Sequence, residues 1–552
     1  MTTATTAVLS AALLLAGVAS VANAAPTCTA DALNALNVPG VHIDSAKAVD
    51  ANGAAPAHCD VQGTVATHGE GAPDGSARFV MQLPQTWQQR FFFMGVGGNA
   101  GRLVAATNPT DHAEALGKGY AVILTDTGHT GNGTDADWVM TPDGKRDAAK
   151  VTDFFYRGAH DVTLAGKLFA QAYYAAPVQH AYFDGCSNGG RMAMMEADRY
   201  PADYDGIIAG DPGMDYNSVM LRLAVQKLAL ASPAAYIPQQ TLAAIDARVT
   251  ARCDAIDGAK DGLVQNPARC PVRAEDLVCR GTGDTDCLSP AQARVLRAYT
   301  TPLRDRHGHL LYPGWAITNL SGPHGMSFWT TGNTAPDLAH REAPWGSNAG
   351  APPLGWKFAR EALTYWMGRG PDAKMMAVAV DPRTNTASDA LVAAVHRAFG
   401  AGETKDPAKL LPFIREGRKL IIYHGASDPA IPAERSIWFY RALAAKLHGM
   451  DEAQASVRLF LVPGMQHCGG GIGPDQFDTL TAMEDWVEHG VAPQAIAANT
   501  RPDSAAPHHL PLCPYPQQAR FSGNGSVDDA ANWKCMAVPR EAAGSGHAAG
   551  AG

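Results

Sequence analysis

Short apolar runs closed by Gly, Asp or Pro recur in two separate stretches of this chain, residues 77–212 and 419–491. The first stretch reads RFVMQLP, RFFFMGVGG, YAVILTDTG, QHAYFDG and DGIIAG, and the second RKLIIYHG and VRLFLVPG. Runs this short and this apolar suit strands buried on both faces, as in a parallel sheet. Segments of helical length separate them, and helices are expected over 156–174, 190–200, 433–448 and 476–489. The alternation predicts an α/β fold, an open sheet with helices on both faces. Hydrophobic residues make up 46% of the chain and charged residues 18%, which permits a large core and excludes wholesale disorder.

The stretch between the two sheet-forming blocks, residues 214–405, is different. It is rich in Ala, Gly, Pro, Trp and Asp, and its strand pattern is weak. We expect a lid domain here, inserted into a sheet domain made of residues 25–213 and 406–540. The Pro- and Gly-rich segment after 501 is expected to wrap back onto the core, and residues 541–552 to be disordered. At the other end, residues 7–24 form an apolar, small-residue run ending Ala22-Asn23-Ala24. That reads as a signal peptide over 1–24, although no Lys or Arg precedes the run. A membrane anchor is the weaker reading, since a span needs ~20 strongly apolar residues. A secreted or periplasmic protein with no membrane span after cleavage is therefore expected, and disulfides become possible. The net charge of -9, without a basic block, argues against a nucleic-acid partner.

Gly185-Cys186-Ser187-Asn188-Gly189 follows an apolar strand and opens a helix. That context is the one a nucleophile elbow needs: the glycines allow a tight turn and Ser187 projects from the sheet's carboxyl edge. Its partners should follow as an acid and then a histidine. Asp428 lies just past RKLIIYHG, and His467 just past VRLFLVPG. His467 would take the serine proton while Asp428 orients the imidazole. Asp126 and His129 also end a strand but precede the serine, and His424 on the acid's own strand reads as a core or supporting residue. For the oxyanion, one donor should be the N–H of Asn188 and the other that of Gly98, with Gly97 the next choice. The run Gly95–Gly101 fits neither a phosphate-binding loop nor a dinucleotide fingerprint.

Cys186 precedes the serine and Cys468 follows the histidine. If Ser187 and His467 touch, their neighbours are close, and a Cys186–Cys468 bridge would hold nucleophile and base together. Closing so long a loop is worth roughly 4–5 kcal/mol in the entropy model. Gly-Cys-Ser-x-Gly-Gly, a later Asp and a His-Cys pair resemble the tannase/feruloyl esterase family, an α/β-hydrolase group that includes mono(2-hydroxyethyl) terephthalate hydrolase. The similarity spans nearly the whole mature chain, including the closing segment PLCPYPQQARFSGNGSVDDAANWKC. It implies an α/β-hydrolase fold with a large inserted lid. The remaining cysteines fall into neighbouring pairs, and the family pattern supports Cys28–Cys59, Cys253–Cys270, Cys279–Cys287 and Cys513–Cys535.

Residues 253–270 read CDAIDGAKDGLVQNPARC, with Asp254, Asp257 and Asp261 interleaved with glycines. From the residues alone this is equally a calcium loop or a run of Asx turns. The family carries a lid calcium site at a matching pattern, so the resemblance implies structural Ca2+ held by Asp254, Asp257, the Ala259 carbonyl, Asp261 and the Leu263 carbonyl. No organic cofactor is expected.

The lid's aromatics, Trp315, Phe328, Trp329, Trp345, Trp356, Phe358, Tyr365 and Trp366, suit a flat aromatic acyl group or plain lid core. Of these, Trp345, Trp356 and Phe358 are taken as substrate-binding, together with Ile431, which resembles a family position against the acyl ring. The expectation is a serine carboxylesterase acting on small aromatic esters, feruloyl or hydroxycinnamoyl esters first, with galloyl esters or terephthalate monoesters as alternatives. The competing class is a non-catalytic, calcium-stabilised protein that binds aromatic ligands.

Overall fold

The computed structural model describes residues 26–53, 55–107, 114–281, 283–346, 352–504 and 506–537. The expected leader at 1–24 and tail at 541–552 lie outside the described residues.

Among the described residues, nine strands make one sheet: β1 (Val41–Val49), β2 (His58–Thr67), β3 (Gly75–Pro84), β4 (Arg90–Met94), β5 (Tyr120–Thr125), β6 (His180–Cys186), β7 (Gly206–Gly210), β8 (Lys419–Gly425) and β9 (Val457–Val462). Their spatial order is β1-β2-β3-β5-β4-β6-β7-β8-β9. The pairs from β1 to β5 are antiparallel, and those from β5 through β9 are parallel. The middle strands β5 and β7 are buried at every position, which is why they read as unbroken apolar runs. The sequence pattern missed β1 and β2. The first is an edge strand with polar residues on both faces, and the second alternates buried and half-buried positions.

Helices α1 (Gly158–Tyr174), α2 (Asn188–Arg199), α6 (Glu434–Lys446) and α7 (Thr479–Glu488) pack on this sheet. Most helix ends differ from expectation by one to three residues, and two of the starts have a visible setting. Helix α2 begins directly after Ser187, two residues early. Helix α7 begins late because the Asp478 side chain accepts the Thr481 N–H as an N-cap, while Gln476 and Phe477 join a small strand. Between β7 and β8 the chain makes α3 (Ser218–Ala229), α4 (Gln239–Cys253), α5 (Leu354–Glu361) and a four-stranded sheet of two- and three-residue strands. The segment after α7 returns to the core: Tyr515 N–H donates to the Leu459 carbonyl and Pro514 bridges Phe460, so this segment runs against edge strand β9.

The strand order turns back at β4. The chain runs outward to β5 and then returns to place β6 on the other side of β4. At such a switch point the loops after β4 and β6 diverge and leave a crevice at the strands' carboxyl ends. Those are the loops of Gly98 and Ser187. The order, with a nucleophile turn after β6, is that of an α/β-hydrolase sheet.

Candidate active site

Ser187 stands between the last residue of β6 and the first of α2, with φ 64° and ψ -119°. A non-glycine residue held there is strained and needs support. The support is backbone against backbone. A Cβ on Gly190 would meet the Gly210 carbonyl oxygen at 2.3 Å, and one on Gly95 would meet Gly189 Cα at 2.7 Å. The glycines therefore let α2 press directly onto β4 and β7.

The Ser187 hydroxyl donates to His467 Nε2 at 2.8 Å, and His467 Nδ1 donates to Asp428 Oδ2 at 2.7 Å. The other Asp428 oxygen accepts the N–H groups of Ala430 and Ile431. Burial alone would raise the Asp428 pKa, but His467 and His424 beside it hold the carboxyl well below its usual range. Burial would lower the His467 pKa, but Asp428 first and Asp211 next hold it above its ordinary value. The three residues come from loops after β6, β8 and β9. The Cys186–Cys468 bridge joins the first of these loops to the last. The other cysteines pair as Cys28–Cys59, Cys253–Cys270, Cys279–Cys287 and Cys513–Cys535, leaving none free.

Asn188 is the first residue of α2, so its N–H has no acceptor within the helix. Its side chain bonds the Val96 carbonyl and receives the Arg191 guanidinium, which fixes the start of α2 to the loop after β4. Gly98 lines the same cavity as Ser187 with φ +64°, and a Cβ there would strike the Gly133 carbonyl oxygen at 2.2 Å. Asp126 and His129 lie apart from the serine and brace that loop. Asp126 binds Arg78, and His129 bonds the Asn99 carbonyl while stacking on Trp138. His424 is fully buried, bonded to Ser436 Oγ and the Ile431 carbonyl.

A cavity of about 460 Å³ opens over Ser187, His467 and Gly98. Ile431 and Phe358 line it, as do Val219, Leu354, Trp366 and Phe399. Trp345 and Trp356 do not line this cavity. They pack edge to face at 5.5 Å and border a neighbouring cleft. Sequence reading gave no role to Asp211, which sits unexposed beneath the histidine loop. The available signal was its place, one residue past the end of β7. Trp329 was read only as one lid aromatic among eight. Its indole lies edge-on to the His467 ring at 5.0 Å and lines the cavity.

In the aspartate loop, Asp254 accepts the N–H groups of Asp261 and Gly262. Asp257 and Asp261 each bond one backbone N–H, to Ala259 and Leu263. Each of these two then keeps one buried carboxylate oxygen without a hydrogen-bond partner. Burial, with the neighbouring carboxylates adding to it, pushes Asp257 up to about 6 and Asp261 up to about 7. Two buried oxygens without donors, on neighbouring acids with Asp254 beside them, fit a hard cation.

A family model described as "Tannase and feruloyl esterase" matches residues 59–536. The mono(2-hydroxyethyl) terephthalate hydrolase of Piscinibacter sakaiensis is 33% identical, over 90% of this chain and 87% of its own. Feruloyl esterase B of Aspergillus niger is 28% identical, over 82% of each chain. Among solved structures, feruloyl esterase B from Aspergillus oryzae superimposes with a TM-score of 0.73 at 25% identity, covering 92% of this chain and 99% of that one.

Proposed function

Because the chain belongs to the tannase and feruloyl esterase family and is a carboxylic ester hydrolase, we propose that Ser187, His467 and Asp428 hydrolyse esters of aromatic acids, feruloyl or other hydroxycinnamoyl esters first. The observation that carries this reading is the unbroken relay from Ser187 Oγ through His467 to Asp428, at 2.8 and 2.7 Å, on the floor of a cavity with aromatic walls.

Ser187 Oγ bonds to the ester carbonyl carbon as its proton passes to His467 Nε2. The N–H groups of Asn188 and Gly98 hold the oxyanion, each worth roughly 3–4 kcal/mol in such sites. The alcohol leaves with the proton from His467, and water then releases the acid by the reverse sequence. Ile431 and Phe358 flank the acyl ring. Galloyl esters and terephthalate monoesters are the alternative substrates, terephthalate being named in one relative and ferulate in another.

Asp254, Asp257 and Asp261, with the Ala259 and Leu263 carbonyls, would hold a structural calcium ion that neutralises the loop. We read the first 24 residues as an export signal and the protein as secreted or periplasmic. Among the described residues no helix is long and apolar enough to cross a membrane.

The test is hydrolysis of methyl ferulate, methyl gallate and a terephthalate monoester by the wild type and by Ser187→Ala. We expect the variant to lose at least roughly 10⁴-fold in kcat. Activity surviving in the variant overturns the nucleophile. A wild type inert on all three esters, yet retaining an aromatic acid, favours the binding protein.

A further inference from the structure

Asp211 follows β7 directly and has no exposed surface. Its backbone is held at φ 38°, a left-handed value that costs a non-glycine residue energy. One carboxylate oxygen accepts the N–H of Gly425, at the end of β8, at 2.8 Å. The other accepts the N–H of Cys468, next to the histidine, and lies 3.9 Å from His467 Nδ1. Asp211 thus ties the acid's strand to the base's loop, and its charge faces the same ring nitrogen that Asp428 holds.

We propose that Asp211 is a second acid of the relay, a positioning residue that fixes the His467 loop and shares with Asp428 the imidazolium that His467 becomes. The proposal rests on the Ser187–His467–Asp428 reading above. When Ser187 Oγ bonds to the carbonyl carbon, its proton goes to His467 Nε2 and the ring becomes cationic. Asp211 takes no proton; it adds a second buried negative charge beside that cation. The groups facing His467 are Asp428, Asp211, His424, Ser187 and the Trp329 ring, with Arg222 near Asp428. Cys186 and Cys468 are bridged and do not titrate. If Asp428 loses its charge, the nearest carboxylate to Nδ1 is Asp211.

The experiment is a double-mutant cycle on the full chain, with pH–rate profiles for an uncharged aromatic ester. Asp211→Asn is expected to lower kcat about tenfold and move the acid limb of kcat/KM down by about one pH unit, since a buried carboxylate at this distance favours the charged ring. A part that only held the loop would slow the reaction without moving that limb, so an unmoved limb overturns the proposal. In the Asp428→Asn background the loss from Asp211→Asn is expected to be larger than in the wild type, because Asp211 is then the only carboxylate left for Nδ1. An equal or smaller loss overturns it. Should Asp211→Asn fail to fold, Asp428→Asn alone decides. It is expected to lose about 10²–10³ in kcat, less than the ~10⁴ seen where a triad has a single acid, and a loss of ~10⁴ or more overturns the second acid. Ser187→Ala runs beside these variants. If it stays active the nucleophile reading fails, whatever Asp211 does.

Discussion

A serine becomes a nucleophile only beside an unprotonated imidazole, and the surroundings of His467 decide at what pH that holds. Burial works against the charged ring, and the carboxylates of Asp428 and Asp211 outweigh it, so the His467 pKa lies above the ordinary 6.5. The protonated ring cannot accept the Ser187 proton. Activity should therefore fall as pH drops through a value above 6.5, and a pH–rate profile of kcat/KM from about pH 5 to 9 reads that limb directly. A limb below 6.5 would contradict the electrostatics described for the site. Ser187, Asp428 and His467 were legible in the sequence because each follows a strand whose apolar run marks where it ends. Asp211 occupies the same kind of place after DGIIAG. It escaped notice because a triad needs one acid, and nothing in the sequence says that β7 lies between β6 and β8.

At the scale of elements, the nucleophile depends on how closely α2 approaches the sheet. Gly190 faces the Gly210 carbonyl oxygen, and neither backbone can retreat, because α2 also presses on Gly95 through Gly189. Gly190→Ala should destabilise the fold by about 1–3 kcal/mol through overpacking and displace Ser187 from His467. The expected signature is a lower melting temperature together with a lower kcat at unchanged KM. A variant with normal melting and normal kcat would show that the close approach is not needed. The elements themselves were readable in proportion to their burial. Strands β4 to β8, buried at nearly every position inside the sheet, announced themselves, as did β3 and the buried edge strand β9 through their apolar runs. Strand β1 did not, being an edge with polar residues on both faces. The insert was readable as strand-poor, but the direction its aromatics face was not. Trp356 and Phe358 lie on the same helix α5 at positions roughly 200° apart around its axis, so they face different clefts, while Trp345, which packs on Trp356, stands in a turn that carries no periodic pattern.

At the scale of the whole molecule, the aspartate loop, the closing segment and the histidine loop are packed together. Ala259 and Leu263 share a small apolar cluster with Leu510, Ala519 and Trp533 of the closing segment. A Cβ on Gly464, three residues before His467, would meet Leu263 Cδ2 at 2.9 Å, so the aspartate loop touches the chain that carries the base. From the insert, Asn319 bonds the Gly464 carbonyl and receives the Gln466 amide through its own carbonyl. A calcium ion in the loop would therefore stiffen the base's position as well as the fold. Chelation should lower the melting temperature, and calcium at a hundred times its Kd should restore about 2.7 kcal/mol. It should also lower kcat while leaving KM nearly unchanged, since the acyl cavity walls stay in place. Asp261→Asn separates the ion from the fold. It should abolish the calcium-dependent shift, yet in chelator it should melt at or above the wild type, because it removes one of three neighbouring carboxylates that repel one another when no cation is bound. Dialysed protein that holds no ion by metal analysis and shows no calcium-dependent melting would defeat the calcium reading. A melting shift without a change in kcat would confine the ion's role to the insert and leave the His467 loop to Asp211 and the Cys186–Cys468 bridge.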